Sequence, residues 1–178
     1  MQLGRSIGVS NYAYRMECET RINEFTLTGK TLEWFLEGLC EWYDVCVPDL
    51  FFNERDSRTR GYYRRTFLGD VKEIVLNESG NIHMSTLVHE FVHHLNHEMD
   101  DGWDTGHGVA FKERHEDVLE DLIDGIEIDG IEVNIERIRK EAHLDYLHEL
   151  YPTEFEAFWQ EDIHIDELIG AIERAVSR

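Results

Sequence analysis

The sequence predicts an α+β fold built on one core. Segments with apolar residues at three-to-four spacing flank a central block of short apolar and aromatic runs broken by polar turns, which reads as helices around a small sheet. At 178 residues the chain is long enough for one well-packed domain and too short for two large ones. A hydrophobic content of 42%, with nine Phe, seven Tyr and four Trp, offers enough apolar surface to offset the entropy of ordering the chain.

The first element is TLEWFLEGLCEWYDV, residues 31–45, where Leu32, Phe35, Leu36, Leu39 and Trp42/Tyr43 form one buried helical face and Thr31 is the expected cap. After Pro48, the runs VPDLFFNE, GYYRRTF and KEIVLNESGN read as three strands, the last ending in the turn-rich Asn77 to Asn81. Helical spacing returns over residues 84–97 through Met84, Leu87, Val88, Phe91, Val92 and Leu95, with Asn81 or Ser85 at the start. The loop DDGWDTGHG leads to a further helix over Val109 to Ile123. IEIDGIEV, residues 126–133, alternates apolar and acidic residues around Asp-Gly and predicts a tight hairpin. A helix starting near Asn134 and another after Thr153 complete the chain. The expected division is a domain over 1–125 and an acidic hairpin and helical extension over 126–178, packed on that same domain.

The formal net charge is −21 and unevenly spread: residues 1–83 hold 10 Lys and Arg against 13 Asp and Glu, whereas residues 84–178 hold 7 against 25. Such a surface repels phosphate backbones, so nucleic acid is disfavoured as a partner. Arg55, Arg58, Arg60, Arg64 and Arg65 are the only basic concentration. The ordinary reading is a solvated strand face paired with nearby acids; the other is a groove for an acidic substrate or a nucleic-acid strand. No apolar run approaches the roughly 18–20 residues of a membrane span, and the N-terminus lacks the pattern of a signal peptide, so a cytoplasmic protein without membrane contact is expected. Cys18, Cys40 and Cys46 are odd in number and form no CxxC pair, which predicts free, buried thiols.

The most informative text is HEFVHHLNHEMDDGWDTGHGVAF, residues 89–111, which holds five of the ten histidines. His89-Glu90-Phe91-Val92-His93 is an HExxH inside a predicted helix. Residues four apart lie one above the other, so two imidazoles converge on one ion while Glu90 reaches its water. His94 is rotated about 100° from His93, and His97 lies about 12 Å along the axis from His89, too far for a shared ion with bonds of ~2.0–2.1 Å. The third ligand must therefore come from another segment. Two sources are open: His107, flanked by glycines that let the backbone turn sharply, or a carboxylate of the next helix, Glu113, Glu116 or Glu120. The extended HExxHxxGxxH form is excluded, because Met99 stands where its last histidine would be.

HEFVH, the spacer and GHGVAF together resemble the SprT-like metalloprotease family, which includes the DNA-protein crosslink protease Spartan. Arg58-Thr59-Arg60-Gly61-Tyr62-Tyr63, followed by Glu73-Ile74-Val75-Leu76-Asn77, is similar to the paired strands before that family's zinc helix. The resemblance covers roughly residues 31–120. It implies a small zincin-like domain with Zn2+ held by His89, His93 and His107, and Glu90 as general base of peptide-bond hydrolysis on a protein or peptide substrate. Tyr62 and Tyr63 are candidate substrate or oxyanion contacts, since side chains alternate across a strand and one of the two would face the cleft. The Ile74 to Leu76 strand is the expected edge for an extended substrate.

The chain departs from the family in lacking any cysteine beyond Cys46, hence a zinc ribbon, and in replacing it with acidic helical text. The resemblance bears on the chemistry more than on the substrate. Two other function classes remain: a metal-binding regulatory or interaction module with little turnover, whose acidic tail covers the cleft or docks a basic partner, and an ion used only to close the fold.

Overall fold

The structure is a computed structural model that describes residues 21–22, 25–53, 60–66, 71–77, 84–99, 107–159 and 164–177. Outside them lie Cys18, Arg55, Arg58, Asn81 and its turn, His83, and most of the loop before His107.

Helix α1 spans Gly29–Trp42, two residues earlier than its apolar spacing suggests, and buries Leu32, Phe35, Leu36, Leu39 and Cys40. Thr31 is not its cap. A distant carboxylate does that work: Asp145 accepts the Thr28 N–H at 2.8 Å and the Thr31 hydroxyl at 3.3 Å. No local pattern announces a cap contributed by a residue more than a hundred positions away.

The strands are β1 (Asp49–Asn53), β2 (Gly61–Arg65) and β3 (Lys72–Asn77), in the order β1-β3-β2, with β1 parallel and β2 antiparallel to β3. β3 is therefore central, and Glu73 through Asn77 are all buried. This overturns the expectation that Ile74 to Leu76 present an edge to substrate, because both sides of that backbone are already paired. The bonds Asn77 N–H to Arg60 O (2.9 Å) and Thr66 N–H to Val71 O (3.0 Å) set the even-numbered residues of β2 against β3. By the alternation of an antiparallel ladder, the Tyr63 backbone groups face the outer edge of the sheet.

Helix α2 (Met84–Met99) lies on this sheet, followed by α3 (Val109–Asp124). The hairpin forms as expected from β4 (Ile126–Ile128) and β5 (Ile131–Val133), with Asp129 and Gly130 both at positive φ, 52° and 74°, as a tight two-residue turn requires. It packs directly on α1 at Gly38, where an added Cβ would lie 2.4 Å from the Ile128 side chain. Helix α4 (Ile135–Leu150) starts at Asn134, whose side chain accepts the Arg137 N–H at 3.0 Å. The single helix expected after Thr153 is instead two, α5 (Pro152–Trp159) and α6 (Ile165–Val176).

Among the described residues, the buried apolar side chains form two clusters. The larger joins α1, β3, α2 and α3 to the hairpin residues Ile126, Ile128 and Val133 and to Ile138 of α4. The smaller gathers Leu144, Leu147, Phe155, Leu168 and Ile172 from α4, α5 and α6. The hairpin thus shares the main core, and the change of packing falls within α4 between Ile138 and Leu144. Among the described residues, no helix is long and apolar enough to cross a membrane. Of the two described cysteines, Cys40 is buried as expected, but Cys46 is exposed.

Candidate metal centre

The 3.6-residue period of α2 stacks His89 and His93 with ring centroids 5.1 Å apart. His107 stands two residues before α3 and brings its ring to 4.9 Å from His89 and 5.0 Å from His93, which closes a nearly equilateral triangle. The His107 and His89 Nε2 atoms are 3.0 Å apart, and one donor nitrogen from each of the three rings lies within 4.8 Å of the others. For zinc–nitrogen bonds of ~2.0–2.1 Å, tetrahedral donors stand roughly 3.3 Å from one another, so the triad fits that ion. His89 and His93 are half-buried and His107 is exposed, which gives the triangle a protein floor and an open side. Glu113, Glu116 and Glu120 do not join this group.

Two residues of α3 complete the floor. Phe111, 3% exposed, places its ring 5.0, 4.5 and 4.8 Å from the rings of His89, His93 and His107, so one apolar surface supports all three. His115, one turn further along α3, is buried with its ring 6.0 Å from His89. Phe111 is the last residue of GHGVAF, and the i, i+4 spacing from it is the signal that would have found His115, because it aims both rings at the same face. Arg114 ties the two helices together through a 2.7 Å bond from Nη1 to the buried Asn96 Oδ1.

Glu90 is buried and accepts a hydrogen bond from the Tyr63 backbone N–H, the group that the β2 register turns outward. Burial pushes its carboxyl up to about 7, and the Tyr63 N–H works against that rise by favouring the charged form. A carboxyl balanced in this way can both take and return a proton near neutral pH.

The side chains of Tyr62 and Tyr63 are placed differently from one another. The Tyr62 ring is 39% exposed. Tyr63 packs on His94 and His97, with centroids 5.5 and 5.0 Å away, and its hydroxyl lies 3.4 Å from His94 Nδ1. It is the Tyr63 backbone N–H that meets Glu90. His94 is fully buried and bonds the Cys46 carbonyl through Nε2 at 2.6 Å; burial lowers the pKa of both His94 and His97. Of the basic run, Arg64 is ion-paired with its cross-strand partner Glu73, while Arg60 and Arg65 are exposed.

No family model matches this chain, and no curated protein or solved structure matches it.

Proposed function

We propose that the protein is a zinc-dependent endopeptidase of the SprT-like kind. The observation that carries this reading is the return of His107 across the top of α2 to the His89/His93 pair, in a set that is all imidazole and open on one side. Three protein ligands with an open position are characteristic of catalytic zinc, whereas structural zinc takes four. Bound there, the ion would supply Lewis-acid chemistry, polarising the scissile carbonyl and acidifying a water.

The chain's own residues supply the rest. His89, His93 and His107 would hold the ion, with the Phe111 ring packed against all three imidazoles. Glu90 takes the proton of the attacking water and delivers it to the leaving amine, while the Tyr63 N–H keeps its carboxyl at the rim of β2. β2 is the strand available to an extended substrate, because its outer edge runs beside Glu90 and β3 has none to offer. The excess of acidic groups over residues 84–178 favours basic proteins as substrates.

The test is metal analysis combined with digestion of casein and of basic DNA-binding proteins. In a Cys46→Ser background, which removes the exposed thiol as a competing zinc ligand, one zinc per chain and chelator-sensitive cleavage are expected, with cleavage reduced at least a hundredfold when Glu90→Gln is added at unchanged zinc content. When His107→Ala is added to that background, zinc should be lost. Full zinc occupancy with no cleavage of any basic protein would instead support a binding module, and retained zinc affinity in His107→Ala would remove the third ligand.

A further inference from the structure

The second group of metal-binding side chains stands on the other face of α2. Cys46 Sγ, one imidazole nitrogen of His94 and a carboxylate oxygen of Glu98 lie within 4.8 Å of one another. His94 and Glu98 are one helical turn apart, and Cys46 arrives from the segment between α1 and β1. Between two of the three is a positive charge: Lys72 Nζ of β3 sits 2.9 Å from Cys46 Sγ and 2.5 Å from Glu98 Oε1. Cys46 Sγ is itself 3.3 Å from Glu98 Oε2. The sulfur and carboxylate are thus already arranged around a cation, with the ammonium as its stand-in.

His94 is held by its Nε2–H, which donates to the Cys46 carbonyl at 2.6 Å, so the ring keeps a lone pair on Nδ1, 3.4 Å from the Tyr63 hydroxyl. A histidine that donates its second N–H to a backbone carbonyl is fixed in one tautomer and orientation. Lys72 is 24% exposed and carries four methylenes, so its ammonium can swing into water when a stronger cation arrives.

We propose that Cys46, His94 and Glu98 form a second metal site, distinct from the three-histidine centre, which takes a thiophilic divalent cation such as Zn2+ or Cd2+ when Lys72 withdraws. The sulfur selects against Mg2+ and Ca2+, which prefer oxygen donors. On binding, the Cys46 thiol gives its proton to solvent, the ammonium moves out, and a water completes four-coordination.

Co2+ titration of the full-length protein tests this. A cobalt–thiolate bond absorbs strongly in the near ultraviolet, and three imidazoles cannot produce that band. The band should appear in the wild type, persist in His107→Ala and vanish in Cys46→Ser, so that failure of this site and failure of the proposed protease centre are read separately. Lys72→Met should tighten cobalt binding at this band by roughly tenfold, because it removes the competing charge. Circular dichroism of each variant reports folding. The proposal is overturned by absence of the band in folded wild type and folded Lys72→Met, by its survival in Cys46→Ser, or by affinity in Lys72→Met that is equal or weaker.

Discussion

At the scale of single residues, the three clustered histidines share one neighbour that packs against them all. Phe111→Leu keeps an apolar side chain but loses the flat ring beneath His89, His93 and His107. Zinc affinity should fall by about 10- to 100-fold, as for other outer supports of metal ligands, with a melting shift of only a few degrees. Competition with a chromophoric chelator reads the affinity. The cysteines differ as sharply. Burial pushes the Cys40 thiol up to about 12, whereas Cys46 lies at the surface. In metal-free folded protein at pH 8, a thiol reagent should label Cys46 and leave Cys40 unmodified, as peptide mapping would show; labelling of Cys40 without denaturant would contradict its burial. The expectation of three buried thiols failed at Cys46 because spacing reports the helix that holds Cys40 but says nothing about a cysteine beyond its end.

At the scale of elements, the joints carry more information than the elements themselves. Gly38 is on the α1 face where the hairpin docks, with three Ile128 carbons 2.4 to 2.6 Å from the position of a Cβ. Ile128 is 2% exposed and cannot move aside freely. Gly38→Ala should therefore cost ~1–3 kcal/mol despite the better helix propensity of alanine, measured as a lower urea midpoint. The double variant with Ile128→Ala should show a cost smaller than the sum of the two single changes; strict additivity would mean that the contact is not tight. The positions of α1 to α4 and the Asp129-Gly130 hairpin were legible from periodicity and turn chemistry, whereas the division of the last helical text into α5 and α6 was not. The cap from Asp145 and the central place of β3 were not, since both depend on partners far away along the chain.

Across the whole molecule, several acidic protons are held in the native state. The Cys40 thiol and the Tyr63 phenol are each pushed up to about 12, chiefly by burial, and the Tyr43 phenol is raised by burial and by its 2.5 Å bond to Asp121. When the chain unfolds, these groups ionise near their ordinary values of 9.0 and 10.0. The native state therefore binds more protons throughout that interval, and stability must fall as pH rises. Their contribution is fully present below pH 9 and is progressively lost as pH climbs towards 12. Urea midpoints recorded between pH 8 and pH 11 should decline, and Tyr43→Phe should flatten the decline; a flat profile in the wild type would mean that these groups ionise freely in the native protein. The sequence by itself determined the α+β class, the HExxH helix, the candidate pair His89 and His93 with Glu90, and the acidic second half, because these follow from local period, composition and the fixed rise of a helix. The resemblance added His107 as the third member; only the tertiary structure decided how its ring stands against those of His89 and His93, that the Tyr63 backbone rather than its phenol meets Glu90, and that Lys72 lies between Cys46 and Glu98. Each of those juxtapositions joins residues from different elements, and their relative placement is set by burial of a shared core rather than by any neighbour in sequence.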